Sequence, residues 1–414
     1  MKTKLPILLS MLLLSLTVSA QWTQRANFSG IAKSKSTAFT IGNKIYVMGG
    51  VDNVATVLND FWEYDIPSDT WTQKPNFPGP ERYGAVSFVL NNKGYIATGG
   101  NDFGYLDDLW QYDPATSTWT PKTGLPAGQA QHENQRREAY AFVIGNKAYL
   151  GGGDGFVFGP NSTSNIAFSD LWEYDAATDS WIQKASTPDF VGRDFSIAAS
   201  INNKGYVGLG CNVQININHS SFWEYDPISN SWTAKANFPT NFTVDAAAFV
   251  LNSTLYVAGG VIVNPVSLSS QFYKYNPATD SWTLLSVFNG GAIAGAFAIS
   301  TGTTAFMGTG YHANLTTRND LWEFTIPTGI NENSLHAENI STIYPNPASD
   351  RITVLVSSAL SGSTYFISDM YGRNVLSGNL TSESSSINIS ELAAGAYILK
   401  VGEQNQLSNK FFKN

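Results

Sequence analysis

The tryptophans of this chain come in pairs nine positions apart, and that spacing restricts the fold more than any other feature. Trp62 pairs with Trp71, Trp110 with Trp119, Trp172 with Trp181 and Trp223 with Trp232, and a fifth copy places Tyr273 before Trp282. Between partners run segments such as Glu63-Tyr64-Asp65-Ile66-Pro67-Ser68-Asp69-Thr70, where Asp and Pro supply turn chemistry between two alternating stretches. Each pair therefore predicts a β-hairpin. Upstream of the hairpins, aromatic stretches ending in glycine start at Tyr46, Tyr95, Tyr149, Tyr206, Tyr256 and Phe306, at intervals of 49, 54, 57, 50 and 50 residues. Upstream again come small, uncharged apolar stretches such as residues 84–90 and 246–251, suited to burial near a crowded axis. Four strands recurring about every fifty residues predict sheets arranged radially as a β-propeller, since a sandwich has no such period.

The pattern also predicts how the ring closes. The sixth hairpin begins at Trp322-Glu323-Phe324, but nine residues after Trp322 stands Asn331, so its outer strand is missing. Near the N-terminus, Gln21-Trp22-Thr23-Gln24-Arg25-Ala26-Asn27-Phe28 matches the outer strand Thr70-Trp71-Thr72-Gln73-Lys74-Pro75-Asn76-Phe77 and has no hairpin partner before it. We expect six blades, the last completed by the N-terminal strand, which leaves no edge unpaired. All eleven tryptophans then occupy repeat positions, where they serve the core and not a sugar-stacking surface.

These residues resemble the kelch family over residues 21–327, on the strength of the recurring diglycine, tyrosine and spaced tryptophan elements. Repeats four and six depart from it with Gly208-Leu209-Gly210 and Gly308-Thr309-Gly310. The resemblance implies ligand binding at one mouth of the central channel. Arg82, Arg137 and Arg193 each precede a small apolar strand and are expected around that mouth, where guanidinium forks suit a carboxylate of an acidic sugar or peptide. Their neighbours Glu81, Glu138 and Asp194 offer the competing role of a structural ion-pair ring. Residues 154–169, with Phe156 and Phe158 and with Tyr174 close in sequence, form the longest insertion and a second candidate surface.

Ahead of the repeats, residues 1–20 carry Lys2 and Lys4, an apolar run and Val18-Ser19-Ala20, the pattern of a signal peptide; that run is too short to span a bilayer comfortably. Residues 328–341 read as a linker. Residues 342–414 carry Tyr344-Pro345-Asn346-Pro347, strand-like residues 351–357, 365–367, 387–389 and 395–401, the turn Asp369-Met370-Tyr371-Gly372-Arg373, and the ending Lys410-Phe411-Phe412-Lys413. This small all-β segment is similar to the type A sorting domain of the type IX secretion system. The resemblance implies a β-sandwich, a Bacteroidetes-type bacterium, the secretion machinery as partner, and a secreted or outer-membrane surface location. With a net charge of −8 a nucleic-acid partner is not expected.

Catalytic chemistry finds little support. Galactose oxidases also carry kelch propellers, but copper chemistry there needs two imidazoles and a cysteine crosslinked to tyrosine. Here the histidines are His132, His219, His312 and His336, and the single cysteine, Cys211, is expected where an outer loop begins; it allows no intramolecular disulfide. No serine-hydrolase elbow occurs. Asp102, Asp107 and Asp108 lack calcium-loop spacing and read as a solvated loop. No cofactor or metal is expected. The reading is an exported kelch-repeat module that binds a glycan or protein. The alternative is an enzyme similar to the sialic-acid mutarotases, drawing on Arg82, Arg137, Arg193 and Glu138.

Overall fold

The computed structural model describes residues 21–126, 132–159, 162–189, 191–240, 243–263, 266–312, 314–326, 342–356, 360–369, 373–401 and 407–414. The expected signal peptide and linker lie outside them. The chain divides into two compact units after Pro327. The described residues are all β apart from one 3-10 turn, Val213–Ile215.

Among the described residues the first unit contains six four-stranded antiparallel sheets. Blade 1 runs Thr37–Ile41, Lys44–Val51, Val57–Asp65, Thr70–Lys74 from the inside outwards. The inner strands of the next four blades are Val86–Leu90, Tyr140–Ile144, Ile197–Ile201 and Ala247–Leu251, each followed by three more strands in chain order. Blade 6 breaks the order: Phe297–Ser300, Thr304–Gly308 and Leu321–Thr325 are joined by Gln21–Arg25, which pairs antiparallel with Leu321–Thr325. Trp22 lies opposite Phe324 in that register.

Each hydrophobic cluster spans two neighbouring sheets, so the core is a ring of wedges. Phe39, Tyr46 and Phe61 of blade 1 pack on Ile96 and Tyr112 of blade 2, and the last cluster joins Phe297 and Phe306 of blade 6 to Ile45 and Tyr64 of blade 1. Large aromatics fill the widening space between twisted sheets, each contributing about 1.5–3 kcal/mol through burial. The outer tryptophans also fasten neighbours: Trp71 Nε1 donates to the Ala26 carbonyl at 3.0 Å, and Trp181, Trp232 and Trp282 repeat the bond to the preceding blade at 2.8, 2.8 and 2.9 Å.

Repeats four and six place a side chain in the left-handed conformation where blades 1, 3 and 5 have glycine. The first of the two left-handed positions has φ between +58° and +70° in every blade; it is Gly49, Gly152 and Gly259 in three, while Thr98, Leu209 and Thr309 adopt +61°, +59° and +58° there. Where glycine occupies them both positions are crowded: a Cβ on Gly49 would stand 2.5 Å from the Arg82 carbonyl oxygen and one on Gly259 2.3 Å from that of Ile293, as one on Gly153 would stand 2.5 Å from that of Arg137 and one on Gly210 2.3 Å from that of Asp194.

At one end of the axis the blades are joined by a closed circle of backbone hydrogen bonds. Gly84 N–H donates to Lys35 C=O at 3.0 Å, Glu138 to Gly84 at 2.8 Å, Phe195 to Glu138 at 3.3 Å, Asp245 to Phe195 at 3.3 Å, Gly295 to Asp245 at 3.1 Å and Lys35 to Gly295 at 2.8 Å. All six residues take φ between +52° and +61°. Only Gly84 and Gly295 do so without strain; Lys35, Glu138, Phe195 and Asp245 hold a conformation that side chains disfavour, a pattern concentrated at binding sites. Inside the ring the channel is lined by small side chains, Ser36, Ala85, Ala139, Ser196, Ala246 and Ala296 among them.

The second unit packs the three-stranded sheet of Thr342–Tyr344, Arg351–Leu355 and Ser384–Asn388 and the four-stranded sheet of Asn374–Asn379, Thr364–Asp369, Gly395–Val401 and Leu407–Lys413 around one core that includes Ile352, Val354, Ile367, Leu399 and Phe411. The strand Asn374–Asn379 has no counterpart in the sequence reading because its side chains are mostly exposed and polar.

The N-terminal strand generates a stability prediction. Trp22 is buried and meets Phe249, Phe272, Phe288 and Phe324 at ring separations of 4.9–5.9 Å. Trp22→Ala should cost about 3–5 kcal/mol in denaturant unfolding, and a loss below about 1 kcal/mol would mean that blade 6 stands without its fourth strand.

Candidate functional site

The mouth is built from the residues just before each inner strand and from the loops joining strands two and three. Among the three arginines expected there, the structure separates Arg137 from the other two. Arg82 has no exposed side-chain surface: it binds Asp108 through two bonds of 2.6 and 2.7 Å and the Thr98 carbonyl at 2.9 Å. Arg193 is equally buried, bonded to Leu209 C=O at 3.1 Å, to Ser221 Oγ at 2.8 Å and to Asp189. Their counterpart in blade 3 is Arg136, fixed by Asp170 at 2.6 and 2.8 Å and Gly152 C=O at 3.0 Å. The expected equivalence of Arg137 is thus one residue off. Counting back three from the small residue that opens each inner strand, Ala85, Ala139 or Ser196, arrives at Arg82, Arg136 and Arg193.

Arg137 instead points into the mouth, with 27% of its side chain exposed. It binds Asp154 at 3.2 Å, donates to Tyr83 Oη, and lies over the Tyr105 ring at 4.9 Å. The long insertion is a hairpin, Asp154–Gly159 with Ser162–Ala167, whose Phe156 stacks on Tyr105 at 4.5 Å. Tyr174 is not part of that surface; it is fully buried in blade 3 and meets Tyr95 and Trp181.

Across the ring, Lys35 of blade 1 reaches Glu138 of blade 3 at 2.7 Å and Asp245 of blade 5 at 4.0 Å, and lies 4.3 Å over the Phe195 ring of blade 4. Blade 4 faces blade 1, so this side chain crosses the axis. Burial alone would depress the Lys35 ammonium, but Glu138 and Asp245 outweigh it and raise its pKa. Asp245 is pushed up by burial and by Glu138 against the pull of Lys35, and Tyr311 donates to it at 3.2 Å. Beside the ammonium opens a cavity of about 320 Å³ lined by Phe195, Asn212, Asn218, Val261, Tyr311 and Asp245 among others, a size suited to a small ligand or one side chain.

Cys211, expected at an outer loop, lies instead on this cavity wall, buried, with its thiol donating to Asp194 Oδ1 at 3.1 Å. Burial pushes the thiol pKa up, which makes it a poor nucleophile. Burial also raises the Asp194 carboxyl, to about 7, with Asp154 and Glu138 adding to the shift against the bond from Cys211. His219 is driven down to about 4 by burial and by Arg193. Asp108 is committed to Arg82 and Trp110. Among the described residues no three histidine, cysteine or acidic side chains converge as metal ligands. The side chains of His132 and His336 lie outside those residues.

Radial four-stranded sheets, the glycine-ended second strands and the paired tryptophans define a kelch-repeat propeller, and the chain carries kelch repeats followed by a secretion-system sorting domain. The KLHDC2/KLHL20/DRC7 kelch-repeats domain matches residues 8–153, the kelch motif residues 243–286, and the secretion system C-terminal sorting domain residues 342–414. The solved structure of YjhT is similar to 73% of this chain over 97% of its own length, with a TM-score of 0.60 at 16% identity, a likeness of fold. No curated protein matches the chain significantly. The sorting tail indicates secretion or attachment at the cell surface. Among the described residues no helix is long and apolar enough to cross a membrane.

Asp194 makes the propeller sensitive to pH. In the folded state its carboxyl keeps a proton up to about 7, whereas an unfolded aspartate releases it near 3.9. Between these values the folded state binds the extra proton, so stability falls as pH rises and the cost is complete above about 7. All tryptophans lie in the propeller, so their fluorescence reports its unfolding alone. Asp194→Asn should flatten the decline; an unaltered slope would assign it to other groups.

Proposed function

We propose that this chain is an exported, non-catalytic binding module whose channel mouth receives a glycan or a segment of another protein. The observation that carries the reading is the cavity beside Lys35. It pairs the faces of Phe195 and Tyr311 with the amides of Asn212 and Asn218 and the Asp245 carboxylate, the mixture of apolar surface and a few directed polar groups that binding pockets use. Strained backbone at Lys35, Glu138, Phe195 and Asp245 supports the same reading, since such conformations persist where the surrounding structure holds a site in shape. The N-terminal signal and the type IX machinery of a Bacteroidetes-type bacterium would deliver the module, the C-terminal unit serving as the address.

A second reading rests on Arg137 standing next to Glu138 in the mouth: an enzyme similar to the sialic-acid mutarotases. Acceleration of N-acetylneuraminate anomerisation followed by NMR, lost in Arg137→Ala, is its test. The charge of the mouth favours the first reading, because Glu138, Asp154, Asp194 and Asp245 outnumber Lys35 and Arg137 and repel an acidic sugar.

Screening the purified protein on glycan and peptide arrays tests the proposal. Ligands captured by the mouth should bind at least about tenfold more weakly to Phe195→Ala and Tyr311→Ala, since each loses an aromatic anchor. They should bind unchanged to Ile228→Ser, whose exposed side chain lies on a hairpin at the far end of blade 4. Equal binding to all three variants would move the site away from the mouth.

A further inference from the structure

Two features of the mouth exceed what the fold needs. The first is its charge. Asp154, Asp194, Glu138 and Asp245 sense one another electrostatically, yet the cations among them are Lys35, held by Glu138, and Arg137, held by Asp154. Asp194 is 1% exposed, and its Oδ2 has no hydrogen-bond partner among the described residues while Oδ1 faces the cavity wall at Cys211. Once Asp194 is ionised, above about pH 7, a buried carboxylate oxygen without a donor is costly, and a cation entering the cavity, whose wall Cys211 and Asp245 line, would relieve it together with Asp245.

The second feature is a crown of apolar tips. In each blade the second strand ends at the mouth, so the loop to the third strand overhangs it. Those loops carry Val54 in blade 1, Phe103 in blade 2, Val213 and Ile215 in blade 4, Val266 in blade 5 and Leu315 in blade 6, exposed by 80, 90, 60, 53, 78 and 73%. Single exposed apolar residues are ordinary, but the same loop in five blades carrying one at its tip is a rim arranged around the acidic centre.

We infer that the mouth takes a segment of a partner protein in which a lysine or arginine is flanked by apolar side chains, the cation entering beside Asp245 and Asp194 and the flanks resting on the rim of Phe103, Val266 and Leu315. The inference rests on the reading of the mouth as the binding site and narrows its ligand. Lys35 previews the contact, for an ammonium over the Phe195 ring between Glu138 and Asp245 is the arrangement that an incoming cation would extend.

A randomised heptapeptide library displayed on phage and selected on the full-length protein tests it. The expected result is enrichment of peptides with one lysine or arginine between apolar residues. Their affinity should fall with added salt, drop at least about tenfold in Asp245→Asn, and drop in the double variant Phe103→Ser with Val266→Ser, whose exposed positions leave the fold intact. Replacing the basic residue of a selected peptide by norleucine should remove binding. Enrichment of acidic or uncharged sequences, or none at all, overturns the inference. If array glycans nonetheless bind and lose affinity in Tyr311→Ala, the mouth remains the site and only its cationic partner falls; if no probe responds to any mouth variant, both readings fall together.

Discussion

The buried pairing of Arg82 with Asp108 shows how the ring holds. Its backbone belongs to one blade, because Arg82 N–H donates to Leu58 C=O at 3.1 Å and its own carbonyl accepts from Gly50 N–H at 2.8 Å; its guanidinium belongs to the next, gripping Thr98 and Asp108. Arg136 and Arg193 repeat the arrangement, and Lys33 does so with Asp60 at 2.6 Å. In three of them the acid, Asp60, Asp108 or Asp170, also accepts from the first tryptophan of its hairpin, Trp62, Trp110 or Trp172, at 2.7–2.8 Å, whereas blade 4 has Ser221 at that position and Arg193 takes its acid from Asp189. A buried ion pair of this kind adds little net stability over apolar residues, but removing one partner is expensive, about 3–5 kcal/mol. Its service is to register: the fork forms only when two blades stand at one angle and height.

Registration at the periphery is what permits strain at the centre. Four non-glycine residues with positive φ each cost on the order of 1–3 kcal/mol, and nothing within a single blade would keep them there. The circle of hydrogen bonds from Lys35 through Gly295 does so because each link is made by the neighbour. Side chains on such a ring project toward the axis from fixed points. This is how Lys35 meets groups from blades 3, 4 and 5 although they are more than a hundred residues away in sequence.

The fold was legible because its signal is repeated. Nine-residue tryptophan spacing and the unpartnered strand at Gln21–Arg25 are properties of pattern, and pattern survives local exceptions such as Leu209 and Thr309. The site was only half legible, because it is made from differences between repeats. Two adjacent arginines, Arg136 and Arg137, left the register open by one residue, and one step exchanges a buried staple for a group facing the mouth. Cys211 and Asp154 stand after the second strand of their blades while Asp194 and Asp245 stand before the first, and only the short pairings of those segments, such as Asp194 with Cys211, bring them to one wall. No spacing rule in a single sequence encodes that convergence.

The same differences explain why the mouth is asymmetric. In blades 5 and 6 the staple position holds Thr243 and Ile293, without a cation, and the blade-5 acid at the ring, Asp245, is answered across the axis by Lys35. Blades 3 and 4 supply the remaining carboxylates, whereas blades 2 and 6 present Gly84 and Gly295 on the ring and add no charge there. Negative charge is therefore gathered on the side of blades 3 to 5, next to the cavity of Phe195, Asn212 and Tyr311, and the Lys35 ammonium and the Arg137 guanidinium only partly offset it. Burial raises the pKa of Asp154, Asp194 and Asp245 even though Arg137 and Lys35 pair with the first and the last, so desolvation outweighs the pairing. Keeping them is a cost that binding at the mouth can offset, as perturbed acids in a concave site so often signal.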